Sequence, residues 1–296
     1  MIVRFERRPI RLAWGATWSV MCGALAAWPW DLGVHVLART VAAWFVAVPL
    51  AGAIWLAWLL PPMPAGLASD PHASTASGGP GGPGTVPADG VRRTWHRARD
   101  RTDAVLGLVL AVVIAALLGP PVLTLLLGGL AVFALTQRLP RLPPHGRGLV
   151  RSATEIGWPG AIAWLALDGA QGVPASLAVA GSVLDVAVRW WQANWLFPLL
   201  LALFTVGHFA VTVGDNPSID MGFRRRLLGP VYVGAVAALA VADHPWGAGA
   251  VALTFVVQWP FQVMLAARHA HRQVVAIQGL AMVAMLVAAL GAAVAG

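Results

Sequence analysis

Apolar runs close to bilayer length recur from Ile10 to Ala295, and most of the chain's arginine sits between them rather than inside them. A helix of about 20 apolar residues spans the ~30 Å hydrocarbon core of a membrane. Within that core only helices and closed barrels satisfy every backbone N–H and C=O. The alternation therefore predicts an all-α, polytopic transmembrane helical bundle. Composition agrees: of 296 residues, 58% are hydrophobic and 11% charged, against about 25% charged in soluble domains.

The runs predict about nine spans: Ile10–Trp30, Val36–Leu60, Ala104–Leu118, Val122–Leu135, Ala153–Leu167, Trp195–Val213, Leu228–Ala242, Ala248–Ala267 and Val274–Ala295. The first could be a signal peptide with Ala24-Leu25-Ala26 as a weak cleavage site, but its apolar character continues past that point. Gly119-Pro120-Pro121 separates the third and fourth runs, as a kink in one helix or the tip of a hairpin. Arg101 before the pair and Arg138 after it favour the hairpin. Ala175–Val188 is too short to cross and reads as a helix lying at, or dipping from, the far interface. The chain thus divides into spans one and two (1–61), a connecting loop (62–101) and spans three to nine (102–296), forming one membrane domain. The loop is rich in Gly, Pro, Ser and Ala up to Gly90 and reads as a disordered linker. It then turns basic, with Arg92, Arg93, Arg97, Arg99 and Arg101.

Net charge is +8, and all 20 basic residues are arginine. Nine spans with a cytoplasmic N-terminus put every arginine except Arg39 and Arg189 on the cytoplasmic side, which is the bias that orients bacterial inner-membrane proteins. The same pattern explains the basic balance without nucleic acid. The single cysteine, Cys22, excludes an intramolecular disulfide and a cysteine-rich metal site. Having no lysine excludes Schiff-base chemistry and a phosphate-loop lysine.

One stretch breaks the apolar monotony: HFAVTVGDNPSIDMGFRRRLLG, from His208 to Gly229. Asp215 and Asp220 follow the sixth span, Pro217 interrupts helical geometry between them, and Arg224, Arg225 and Arg226 come next. A loop here can aim both carboxylates at one divalent cation beside guanidinium groups suited to phosphate. The plainer reading is a solvated basic loop that only fixes orientation.

On these residues the chain resembles the UbiA-type intramembrane prenyltransferases. The resemblance covers most of the chain: the number of spans, Arg8-Pro9 ahead of the first, and Asp215, Asp220, Gly222 and Arg224–Arg226 where that family carries its second Asp-rich motif. It implies an enzyme that binds a prenyl diphosphate through Mg²⁺ and transfers the prenyl group to a lipophilic acceptor at the cytoplasmic face. Asp215 and Asp220 would then be catalytic metal ligands. Arg224, Arg225, Arg226 and Arg147 would hold phosphate, with Glu155 as an accessory polar group. Where the family's first motif would stand, after the second span, this chain reads WLAWLLPPMPAGLASDPHAS, with Asp70 as the nearest acid. The alternative is a catalytically inactive UbiA-like membrane protein that binds lipid or pigment, or serves as a subunit of a complex.

Other polar residues carry less specific expectations. Glu155 is the one carboxylate expected just inside a span; it either reaches water or pairs with Arg151 at i−4. Gln258 and Gln262 share a face of the eighth span, bonding a neighbouring helix or lining a cavity. His208 has no histidine at matching depth with which to hold a haem. Trp44 and Trp164 fall deep in their spans, as packing or as the wall of an isoprenoid-sized cavity.

Overall fold

The computed structural model describes residues 3–27, 33–50, 105–138, 144–168, 194–212, 221–264 and 270–295. Nine helical segments account for nearly all of them, and no strand occurs among them. They are α1 (Val3–Ala26), α2 (Val34–Phe45, continuing as a π-helix Val46–Leu50), α3 (Val105–Leu118) and α4 (Pro120–Arg138). Next comes α5, helical over Pro144–Ser152, π-helical over Ala153–Gly157 and α-helical again over Trp158–Asp168. The last four are α6 (Leu196–Thr212), α7 (Met221–Val241), α8 (Pro245–Met264) and α9 (Ala270–Ala295). The 62–101 loop and Ala175–Val188 lie outside the described residues.

Several boundaries differ from the sequence expectation, each for a local reason. Residues 144–151, expected as part of a basic loop, form the first turns of α5. Pro144 suits the first helical position, where no N–H is needed. The seventh helix starts at Met221 rather than Leu228, so Arg224–Arg226 belong to a helix and not to a loop. Gly119, with φ of 129°, breaks the chain between α3 and α4. Ala111, Ala115 and Leu118 before that break and Val122 and Leu126 after it enter the same buried cluster. Arg39 on α2 donates to the Leu118 carbonyl at 3.0 Å, where the break ends the α3 ladder.

Both π segments go with proline. Pro49 lies within the first, and Pro159 follows the second by two residues. A proline has no N–H to donate and crowds the carbonyl four residues earlier, and a locally wider turn accommodates that mismatch without ending the helix.

The bundle is a ring. α1 packs on α5, α5 on α6, α6 on α7, α7 on α8, α8 on α9, and α9 returns to both α6 and α1. Helix α2 lies against α5, and α4 reaches α5 through Trp158, whose indole donates to the Leu125 carbonyl at 3.2 Å. Helix α1 crosses α5 at close range. Gly15, Ser19 and Gly23, spaced by four on one face of α1, meet Ile156, Gly160 and Ala163. A Cβ at Gly23 would sit 2.2 Å from the Gly160 carbonyl oxygen. Small residues at this spacing let two backbones approach to direct contact, gaining dispersion and weak hydrogen bonds.

Helix direction follows from the contacts. On α1 and α5 the numbering rises together, from Gly15 beside Ile156 to Gly23 beside Ala163. Helix α6 runs opposite to α5, with Phe197 against Trp164, Leu201 against Gly160 and Thr205 against Gly157. Helix α7 opposes α6, pairing Leu203 with Gly234 and Gly207 with Val231. Helices α8 and α9 alternate again, through Phe255 on Tyr232 and Gln258 on Ile277. One end of the ring therefore collects the starts of α1, α5, α7 and α9 and the ends of α6 and α8.

Among the described residues one helical stretch, Val275–Val294, is by itself long and apolar enough to cross a membrane; six shorter apolar helices accompany it. The outward faces are apolar too: Leu106, Val109, Val113 and Leu117 on α3, Val233 on α7, and Leu253, Val256, Trp259 and Phe261 on α8 are all exposed.

Replacing Gly23 with Ala forces α1 off α5 and should cost about 1–3 kcal/mol of stability. Gly128→Ala, where an added Cβ meets nothing within 4 Å, should be neutral or gain roughly 0.5–1 kcal/mol from helix propensity. Thermal unfolding of the two variants under identical conditions compares them.

Candidate functional site

At the arginine-bearing end of the ring, the π segment of α5 directs Glu155 inward, leaving its side chain 8% exposed. A carboxylate buried there needs partners, and it has them. Arg151 Nε donates to Oε1 at 2.5 Å, one turn earlier on the same helix. His208 on α6 brings Nε2 to 3.5 Å from Oε2. The other ring nitrogen, Nδ1, lies 3.1 Å from the fully buried Ser152 hydroxyl. A neutral imidazole protonated at Nε2 suits both neighbours: it accepts from Ser152 and points its N–H at Glu155.

The backbone around this cluster is held from the other side. Ser19 on α1 donates its hydroxyl to the Ile156 carbonyl, a group inside the π segment. Thr205 packs against Gly157 while its own hydroxyl bonds back to the Leu201 carbonyl at 2.7 Å. A side chain at Gly157 would strike Thr205, so the glycine sets how closely α5 and α6 approach and hence the reach from His208 to Glu155. Single-turn π segments often mark functional positions because they shift side chains out of helical register.

The residues expected to form a site divide into three groups. Asp215 and Asp220 lie outside the described residues, as does Asp70. Glu155 is buried and paired with Arg151, as one of the two sequence alternatives had it. Arg147 stands one turn before Arg151 on α5, and Arg224–Arg226 occupy the opening turns of α7. Successive helical positions lie ~100° apart, so the three arginine positions spread over ~200° of the α7 circumference. Arg226 is exposed. They stand where the positive end of the helix dipole adds to their charge, which costs helix stability but deepens the attraction for an anion.

The remaining polar expectations resolve as packing or as bonds between helices. Trp164 is buried against Phe197, with ring centroids 5.7 Å apart. Trp44 donates its indole N–H to Thr17 at 3.1 Å. Gln258 and Gln262 are both buried, and Gln258 Nε2 donates to the Ile277 carbonyl at 3.3 Å, bonding α8 to α9. Sequence reasoning missed His208 and Ser152 as partners of Glu155. The available signal was their shared register near the ends of adjacent spans, which becomes specific only once α5 and α6 are known to be neighbours.

Among the described residues no group of three or more His, Cys, Asp or Glu side chains could hold a metal ion. Glu155, the one carboxylate in this cluster, is occupied by Arg151 and His208. A Mg²⁺ site of the kind the resemblance implies would rest on Asp215 and Asp220 instead.

Glu155→Gln should cost roughly 1–3 kcal/mol, since it leaves Arg151 and His208 facing an amide that cannot serve both as acceptor. A double-mutant cycle of Glu155→Gln with His208→Gln should give a coupling energy above about 0.5 kcal/mol, as for residues in direct contact. Additivity within error would mean the 3.5 Å approach carries no energy.

Comparison with known proteins adds nothing further: no family model, no curated protein and no solved structure matches the chain.

Proposed function

We propose that this is a multi-pass protein of the bacterial cytoplasmic membrane, N-terminus inside, that handles a prenyl or related lipid diphosphate at its arginine-bearing end. The observation that carries the reading is local. The start of α5 with Arg147 and Arg151, and the start of α7 with Arg224–Arg226, flank the end of α6. Basic side chains there can hold a polyanionic headgroup while the attached chain lies along the bundle. Support for a bilayer comes from the outside of the bundle, where valine, leucine, tryptophan and phenylalanine face outward on several helices. In water so much exposed apolar surface would drive association; in lipid it costs nothing.

Transfer of the prenyl group to a lipophilic acceptor, with Asp215 and Asp220 holding Mg²⁺, is the chemistry that the UbiA resemblance supplies. One observation favours the second reading, an inactive lipid- or pigment-binding scaffold. Trp164 is packed into the core and Glu155 is already neutralised by its ion pair, so neither is left to serve a substrate.

The experiment is binding of farnesyl diphosphate to the protein in nanodiscs, with and without Mg²⁺. Comparison of wild type with Asp215→Ala, Asp220→Ala and Arg225→Ala should reveal Mg²⁺-dependent binding weakened roughly tenfold or more by each substitution. Equal binding by all four proteins, or no binding, removes the enzyme reading. Resistance of the protein to alkaline extraction from membranes tests the bilayer placement separately.

A further inference from the structure

With His208 neutral, the charges of Arg151 and Glu155 cancel, and the cluster has room for one more proton. His208 Nε2 lies 3.5 Å from Glu155 Oε2, and Nδ1 lies 3.1 Å from Ser152 Oγ. In the neutral state Ser152 donates to Nδ1. A proton added at Nδ1 reverses that bond: the hydroxyl turns and accepts, because it serves as donor or acceptor alike. The N–H at Nε2 points at Glu155 in both states, and the bond becomes charge-assisted in the second. Both ring nitrogens therefore face groups that suit an imidazolium, and no backbone has to move. The His208 side chain is 19% exposed, so a proton can reach it from water.

The charged neighbours are few. Among the described side chains they are Arg151 on α5 and the exposed Arg226 on α7; α1 and α9 contribute none. Arg151 is the link to the outside. Its bond to Glu155 uses Nε alone, so the two Nη groups, at the tip of a side chain 45% exposed, keep their donors. A phosphate oxygen on the Nη edge and a carboxylate on Nε can share one guanidinium, whose planar fork suits such double engagement. An anion held there meets a compensated pair when His208 is neutral. It meets a cluster of net positive charge once His208 is protonated.

We infer that anion binding at the arginine-bearing end is coupled to uptake of one proton by the Glu155–His208–Ser152 cluster, with Arg151 as the residue common to both. The inference rests on the diphosphate reading and adds its regulation: the proton favours the anion, and by reciprocity the anion favours the proton. Because protonation grows as pH falls through the histidine range, affinity should rise in the same direction.

Farnesyl diphosphate, titrated calorimetrically with Mg²⁺ into the protein in phosphatidylcholine nanodiscs, is the probe. Two buffers of different ionisation enthalpy allow the protons taken up to be counted. The ligand's own ionisation is common to all variants and cancels in the comparison with His208→Gln. Between about pH 8 and about pH 6 the wild type should gain roughly tenfold more affinity than His208→Gln, and it should take up on the order of half a proton more near neutrality. Glu155→Gln, lacking the carboxylate that holds the imidazolium, should lose the same difference and provides a second test independent of the His208 substitution. Thermal unfolding identifies the folded variants. Equal proton uptake by the wild type and a folded variant, with binding intact, would overturn the coupling and leave the diphosphate reading standing. No binding by the wild type at either pH would remove both.

Discussion

The direct backbone contact between α1 and α5 governs what the rest of the bundle can do. Gly23 against Gly160 leaves no room for a Cβ on α1, and that closeness brings the Ser19 hydroxyl within reach of the Ile156 carbonyl. The Ile156 carbonyl lies inside the π turn, and Ser19 gives it a donor from the neighbouring helix. Within the same π turn, Glu155 is buried and meets His208 on α6. Three facts about small residues therefore precede any chemistry at the site.

From that crossing the polar groups of the bundle fall into a layer. Phe204, Tyr232 and Phe255 contact one another across α6, α7 and α8. His208 lies one turn beyond Phe204, and Gln258 one turn beyond Phe255, both toward the arginine-bearing end. Glu155, His208 and Gln258 consequently share a level, with aromatic and aliphatic packing above and the arginines of α5 and α7 below. Such stratification groups the costly polar atoms toward one end of the ring, where they can find partners, while the rest of its interior stays apolar. It also separates two environments. Charge is compensated beside α5 and α6, whereas uncharged hydrogen-bonding groups collect between α7 and α8.

Much of the helical architecture was legible because apolar length is a strong one-dimensional signal, and prolines and glycines punctuate it. The i−4 partnership of Arg151 and Glu155 was legible for the same reason, since it is local. What escaped was non-local or conformational. His208 stands 53 residues beyond Glu155 and looks like a lone histidine until α5 and α6 are placed side by side. Arg224–Arg226 read as loop residues because Pro217 and two aspartates precede them, yet α7 begins at Met221 and spreads them around its axis. The Gly15, Ser19, Gly23 spacing was present in the sequence and went unused; it names the packing face of α1 directly. The π turns have no apolar signature at all, and only Pro49 and Pro159 hint at them.

Trp18, beside the glycine crossing, donates its indole N–H to the Met282 carbonyl at 2.9 Å, across 264 residues. Ser19 reaches 137 residues for its own partner. Helix α1 is thus tied to α9, the described helix farthest from it in sequence. Without α9 the Trp18 indole would lose the Met282 carbonyl, and α1 and α6 would both lose a neighbour. The ring therefore closes through a contact between distant parts of the chain, and its seam is the step that local helix formation cannot complete.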